Sequence, residues 1–137
     1  MIHRSLNGAS LLLMLLASGA QAQKAKEPTF DGRTLSSWIA DLNAAAPYTR
    51  NAAAYAISSM GPAAKAAVPA LVAVLKDEEN PPSVRYPVCV ALREIGPDAK
   101  DAVPALTAAL DDRNDDVAAM ARSAIRAITG VDPRPPE

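Results

Sequence analysis

Apolar residues recur at helical spacing along most of this chain, and the breaks between them fall at regular intervals. Leu35, Trp38, Ile39 and Leu42 stand at i, i+3, i+4 and i+7, one face of a helix that Thr34 is suited to cap. Pro47 breaks that run. Residues 48–60 then predict a second helix with Ala52, Ala53, Ala56, Ile57 and Met60 inward and Gly61 as its stop. The next unit has the same grammar. Residues 63–76 predict a helix bent or restarted at Pro69, whose missing N–H cannot bond back to Lys65. A turn follows over 77–82, then a helix over 83–95 ended by Gly96. The third unit predicts a helix over 98–110 interrupted by Pro104, an acidic turn over 111–115, and a helix over 116–128 before Gly130. Pro87 conflicts with the pattern, so the second helix of the middle unit starts late or is kinked there.

The periodicity is also a repeat of identity. Residues 61–77 (GPAAKAAVPALVAVLKD) and 96–112 (GPDAKDAVPALTAALDD) agree at twelve of seventeen positions, 35 residues apart. A period of that length filled with Ala and Leu marks stacked helical pairs. The second helices align as well: Ala56-Ile57, Ala91-Leu92 and Ala124-Ile125 are equivalent, as are Met60, Ile95 and Ile128. One pair cannot bury its own apolar face, so three pairs make the smallest workable stack. Alanines let neighbouring helices approach closely, while Leu71, Leu75, Leu106 and Leu110 supply most of the buried area.

The ends differ in composition from the repeat. Residues 1–7 carry His3 and Arg4, residues 8–20 (GASLLLMLLASGA) are small or apolar, and Ala20-Gln21-Ala22 places small residues on either side of Gln21. A basic start, a short apolar core and an A-x-A ending predict a secretory signal peptide over 1–22, cut before Gln23. The apolar run of 13 residues is short of the roughly 20 that a spanning helix needs. The expected product is exported, periplasmic or secreted, with no membrane span after cleavage. Residues 23–33 predict a flexible lead and 131–137 a Pro-rich tail, disordered or extended. Between them, 34–130 forms one repeat domain with units 34–61, 62–96 and 97–130.

Residues 23–137 hold 13 basic and 15 acidic side chains, a net charge of −2 that argues against a dedicated nucleic-acid binder. Cys89 is the only cysteine, and His3, the only histidine, leaves with the signal.

The string Gly-Pro-x-Ala-Lys-x-Ala-Val-Pro-Ala-Leu, followed by Leu, an Asp and then Val-Arg, resembles the HEAT-repeat family, in the variety named after phycobilisome lyase subunits. The resemblance runs from about Thr34 to Gly130. It implies an all-α fold, a short right-handed α-solenoid of about three helix-turn-helix repeats and six helices. The family's first-helix proline and turn aspartate correspond to Pro69 with Asp77 and Pro104 with Asp112. Its second-helix valine and arginine correspond to Val84-Arg85, to Thr49-Arg50 in the first unit and to Val117-Ala118 in the last. The resemblance implies a ladder of that arginine and aspartate between repeats, incomplete at Ala118. The segment DGRTLSSWIADL, which contains Trp38, looks like an N-terminal cap unit.

Candidate chemistry is sparse. A calcium loop starting at Asp112 would need Gly at 117 and Glu at 123, where the chain has Val117 and Ser123. Asp115 or Asp116 is therefore expected to cap the last helix, with Asp77-Glu78-Glu79 doing so one repeat earlier. A Cys89 thiolate would need a His or a cationic pocket, so a small half-buried structural residue is expected instead. No Ser-His-Asp set, phosphate loop or metal-ligand spacing is present, and neither an enzyme nor a cofactor is expected. What remains is surface. Non-core positions of the second helices align as Arg50/Arg85/Ala118, Asn51/Tyr86/Ala119 and Ser58/Arg93/Arg126. Stacking turns them into stripes, and Arg85, Tyr86, Arg93, Arg122 and Arg126 form a basic-aromatic patch suited to a protein partner. Arg93 and Arg126 are expected to lie side by side about 10 Å apart. The expected function is a non-enzymatic interaction or scaffold module. The alternative that the resemblance implies is a bilin lyase- or isomerase-like accessory protein.

Overall fold

A computed structural model describes residues 27–134. The expected signal peptide, residues 23–26 and the end of the tail at 135–137 lie outside the described residues. The fold is an all-α stack of three helical pairs, as the period requires. Each pair is built from Leu35–Asp41 (α1) with Pro47–Met60 (α2), Val68–Lys76 (α3) with Pro82–Ile95 (α4), and Val103–Ala109 (α5) with Asp115–Thr129 (α6). The second helices α2, α4 and α6 lie side by side as one layer with α4 in the middle. The first helices form the other layer. Between the layers runs one continuous core, with Ile57, Leu71, Leu92, Ile95 and Leu106 fully enclosed. Each such side chain contributes about 1.5–3 kcal/mol through the area it removes from water.

The first helices of units two and three do not begin as α-helices. Gly61–Ala67 and Gly96–Ala102 are 3₁₀ turns, and α3 and α5 restart after them with Pro69 and Pro104 in the first turn, where a missing N–H costs nothing. Gly61 and Gly96 hold φ of 57° and 74° with ψ near −140°, a conformation open to glycine and closed to side-chain-bearing residues. That lets the chain leave a second helix and turn at once into Pro62 or Pro97. Pro47–Lys76 is long and apolar enough in composition to cross a membrane, but Gly61 breaks it and its apolar face lines the core.

Pro87 does not delay or end α4, which runs unbroken from Pro82. Its missing N–H orphans the Ser83 carbonyl, and Asn51 Nδ2 from α2 donates to that oxygen at 2.5 Å. The defect in one helix thus becomes a bond between neighbouring repeats. Most inward positions follow expectation, but Ala54 is enclosed while Ala52 is half-buried, and Ile39, Met60 and Leu110 are only partly buried against the core.

Two expectations at the ends are corrected. The described part of the lead is built structure: Thr29–Phe30 (β1) pairs antiparallel with Arg33–Thr34 (β2) across Asp31-Gly32. Both turn residues have positive φ, the two-residue turn that suits strand twist. Trp38 Nε1 donates to the Phe30 carbonyl at 3.1 Å, and the Arg33 guanidinium lies 3.9 Å over the Trp38 ring while pairing with Asp41 at 2.9 Å. Hairpin and α1 together close the N-terminal end of the stack. At the other end, the described part of the tail folds back onto α6 and the turn before it through ion pairs described below.

Candidate protein-interaction surface

The turns between first and second helices are tied down from within. Asn80, buried, donates to the Val74 carbonyl at 3.1 Å and so closes α3, while its own carbonyl accepts from Arg85 Nε at 2.8 Å. The helix caps differ from expectation. Asn114, not Asp115 or Asp116, caps α6, its Oδ1 accepting from the Asp116 and Val117 N–H groups at 3.0 Å each. Asp115 and Asp116 occupy the first turn, where their charge complements the helix dipole. No side chain caps α4, which enters through Pro81 and Pro82. Asp77 and Asp112 instead accept from main-chain N–H groups two residues on, at Glu79 and Asn114.

Arg85 then completes a rung to the next repeat through an ion pair with Asp112, whose side chains are only 13% and 8% exposed. This corrects its place in the basic patch: Arg85 sits in the seam between repeats. The first-unit equivalent forms no such rung. Arg50 donates through Nη1 to the carbonyls of Ala44 and Ala45 at 2.7 and 2.9 Å, leaves Nε buried without a partner, and makes no ion pair among the described residues. Two shallow clefts open at these equivalent seams. One, of about 310 Å³, includes Arg50, Asp77 and Asn80, and the other, of about 480 Å³, includes Lys76, Arg85 and Asp112.

Cys89 is fully buried, more deeply than the half-buried structural residue expected there. Burial pushes its thiol up to about 12 against a smaller opposing pull from Arg85. It is a neutral packing residue.

The remaining predicted residues have different neighbours. Tyr86 is half-buried and packs against the core. Arg93 binds Glu94 Oε1 through Nε and Nη2 at 3.0 and 2.8 Å, and reaches across to Met120 Sδ on α6 at 3.5 Å. Arg126 and Arg122 converge on a single carboxylate, Asp132 of the tail, so the pair that shares a partner is Arg122 with Arg126 and not Arg93 with Arg126. The Arg122 guanidinium holds the Asp132 carboxyl well below the ordinary carboxylate range, with Arg126 adding to it, and Asp132 raises Arg122 in return.

Two residues outside the predicted set complete the surface. Tyr48 is 82% exposed and Tyr55 44% exposed on α2, seven residues apart and hence on one face of that helix. Phe30 of the hairpin, which packs against α2, is exposed as well. Spacing alone carried the signal, since Tyr48 and Tyr55 are the aromatic residues of the alanine-rich stretch 46–56. The second-helix layer therefore presents aromatics at its N-terminal end and arginines toward its C-terminal end.

The family model described as HEAT repeats matches residues 35–126. No curated protein and no solved structure matches the chain.

Proposed function

The chain belongs to the HEAT-repeat family, and from that premise we propose that it is a non-enzymatic protein-interaction module that binds its partner across the α2–α4–α6 layer. Repeats of this family commonly mediate protein–protein contacts, and a row of stacked helices offers an extended surface for them. The observation that carries the reading is the exposure of Tyr48 and Tyr55 on one face of α2, with exposed Phe30 on the hairpin that packs against that helix. Tyrosine supplies contact area at low entropic cost, and arginine joins it at interface centres. Arg93 lies on the neighbouring helix of the same layer.

Export belongs to the same proposal. It is supported by the basic start, 13-residue apolar run and A-x-A ending of residues 1–22. The repeat variety named after phycobilisome lyase subunits is supported by the Gly-Pro-x-Ala-Lys-x-Ala-Val-Pro-Ala-Leu string.

The test is affinity capture from the envelope fraction of the native cell. Tyr55→Ala combined with Arg93→Glu should abolish capture while leaving helicity intact, and affinity should fall as salt rises because exposed charges are screened beyond about 8–10 Å. Lys65→Glu with Lys100→Glu, on the 3₁₀ segments, should leave capture unchanged. Equal losses from both sets would defeat the assignment of a binding face. Mass spectrometry should find the mature chain beginning at Gln23, and an intact N-terminus would defeat export.

A further inference from the structure

The tail delivers one carboxylate to two arginines through a conformation built for that purpose. Gly130 ends α6 in the left-handed region, Thr129 Oγ1 accepts from the Val131 N–H at 3.1 Å, and Asp132 Oδ1 accepts from the Arg134 N–H at 3.1 Å. These side-chain turns aim Asp132 back at α6. Its Oδ1 receives Arg122 Nε at 2.7 Å and its Oδ2 receives Arg122 Nη2 at 2.8 Å, the fork-to-fork pairing that fixes direction as well as charge. Arg126 Nη2 also donates to Oδ2. Arg122 further donates to the Arg134 carbonyl, and Arg134 Nη2 meets Asp111 Oδ1 at 2.6 Å. Residues 132–134 are thus held through an acidic side chain, a main-chain carbonyl and a basic side chain, so the site reads an acidic residue together with a basic one two places on.

Stacking does not account for the arginine at 122. Its equivalents in the first two units are Ala54 and Cys89, both fully buried within the helix layers. In the last unit, with no further helix pair among the described residues, the same position carries a guanidinium, and the tail lies on it. Arg122 and Arg126 remain partly exposed with the tail in place, so their contacts to it are open to exchange with an incoming group.

We propose that Arg122 and Arg126 form a binding site for an acidic residue of a peptide segment in a partner protein, and that residues 131–134 occupy it as a displaceable internal stand-in. The inference rests on the reading of the chain as a protein-binding module and names the partner's chemistry at the C-terminal end of the layer. That chemistry is a carboxylate followed two residues later by a basic side chain that Asp111 accepts. Arg122 supplies direction, Arg126 adds charge, and the tail sets the threshold a partner must exceed.

The probe is a fluorescently labelled synthetic peptide, GVDPRPPE, titrated against the full chain. Asp132→Asn in the full chain empties the site of its own carboxylate without touching the core. This variant should bind the peptide roughly tenfold more tightly than the unaltered protein, because a short tether holds the internal tail at an effective concentration in the millimolar range. Adding Arg122→Ala to Asp132→Asn should abolish binding, as should replacing the peptide's aspartate with asparagine. Equal affinity for the unaltered chain and Asp132→Asn would overturn the proposal, and so would absence of binding to Asp132→Asn at millimolar peptide. If the peptide fails while Tyr55→Ala with Arg93→Glu still abolishes capture, the acidic-peptide site falls alone. If capture ignores those residues as well, the binding face falls with it.

Discussion

At the scale of single residues, the seam between repeats takes one ion pair largely out of water. Arg85 and Asp112 show the cost of that arrangement. Both are largely shielded from water, so removing one partner leaves the other's charge stranded. Asp112→Asn should therefore lose about 3 kcal/mol, the low end for breaking a buried pair, read as a shift in the denaturant midpoint. Arg50→Met, at the equivalent site without a rung, should cost clearly less; a loss as large as that at Asp112 would mean the rung is not what the seam depends on. Cys89 gives a second test. With its thiol pushed up to about 12 by burial, it should resist a thiol-specific reagent in the native protein at pH 8 and react once denaturant unfolds the chain. Rapid labelling of the folded protein would contradict its burial.

Helices and turns obey local rules, but one of them leans on a partner distant in sequence. The proline restarts at Val68 and Val103, the glycine stops and the Thr34 cap all follow from residue type and position, and so were legible from the chain. The Asp31-Gly32 hairpin was equally local, and its two-residue signal was present in a segment whose polar composition suggested a flexible lead. Pro87 was not local. Whether it kinks α4 depends on what satisfies the Ser83 carbonyl, and that group is Asn51, 32 residues earlier in the chain. Asn51→Ala should cost about 1 kcal/mol by removing that hydrogen bond between repeats. Pro87→Ala restores an N–H to the same oxygen, so in the double variant the cost of Asn51→Ala should largely vanish, a coupling that a double-mutant cycle reads directly. Additive losses would show that the two residues act apart.

The whole molecule is a one-dimensional stack whose units lean on their neighbours, closed at one end by the hairpin with Trp38 and at the other by the tail. Stability in such a stack is shared between units and interfaces, so damage should propagate from where it is made. Leu106, fully enclosed in the last pair, tests this: Leu106→Ala should cost about 2–5 kcal/mol and release hydrogen-exchange protection first in α5 and α6. Uniform loss of protection across all three pairs would mean that the domain unfolds as a single cooperative unit. The two ends also differ in surface. Exposed tyrosines sit beside the hairpin, and the paired arginines sit beneath the tail, so a long partner would meet apolar contact at one end and charge at the other.

The sequence by itself determined the period, the six helices, their inward faces and the breaks between them, because helix spacing, proline and glycine act over a few residues. It also determined that the second helices share a layer, since equivalent positions in a repeat must fall in equivalent places. Only the tertiary structure decided what the arginines do. Arg50, Arg85 and Arg122 are alike as isolated side chains, yet one serves its own turn, one joins two repeats and one holds the tail. The difference lies in which carboxylate or carbonyl comes within hydrogen-bonding reach, and that is set by the packing of units and the path of the tail. A long, flexible cation carries almost no record of its partner in its own sequence position.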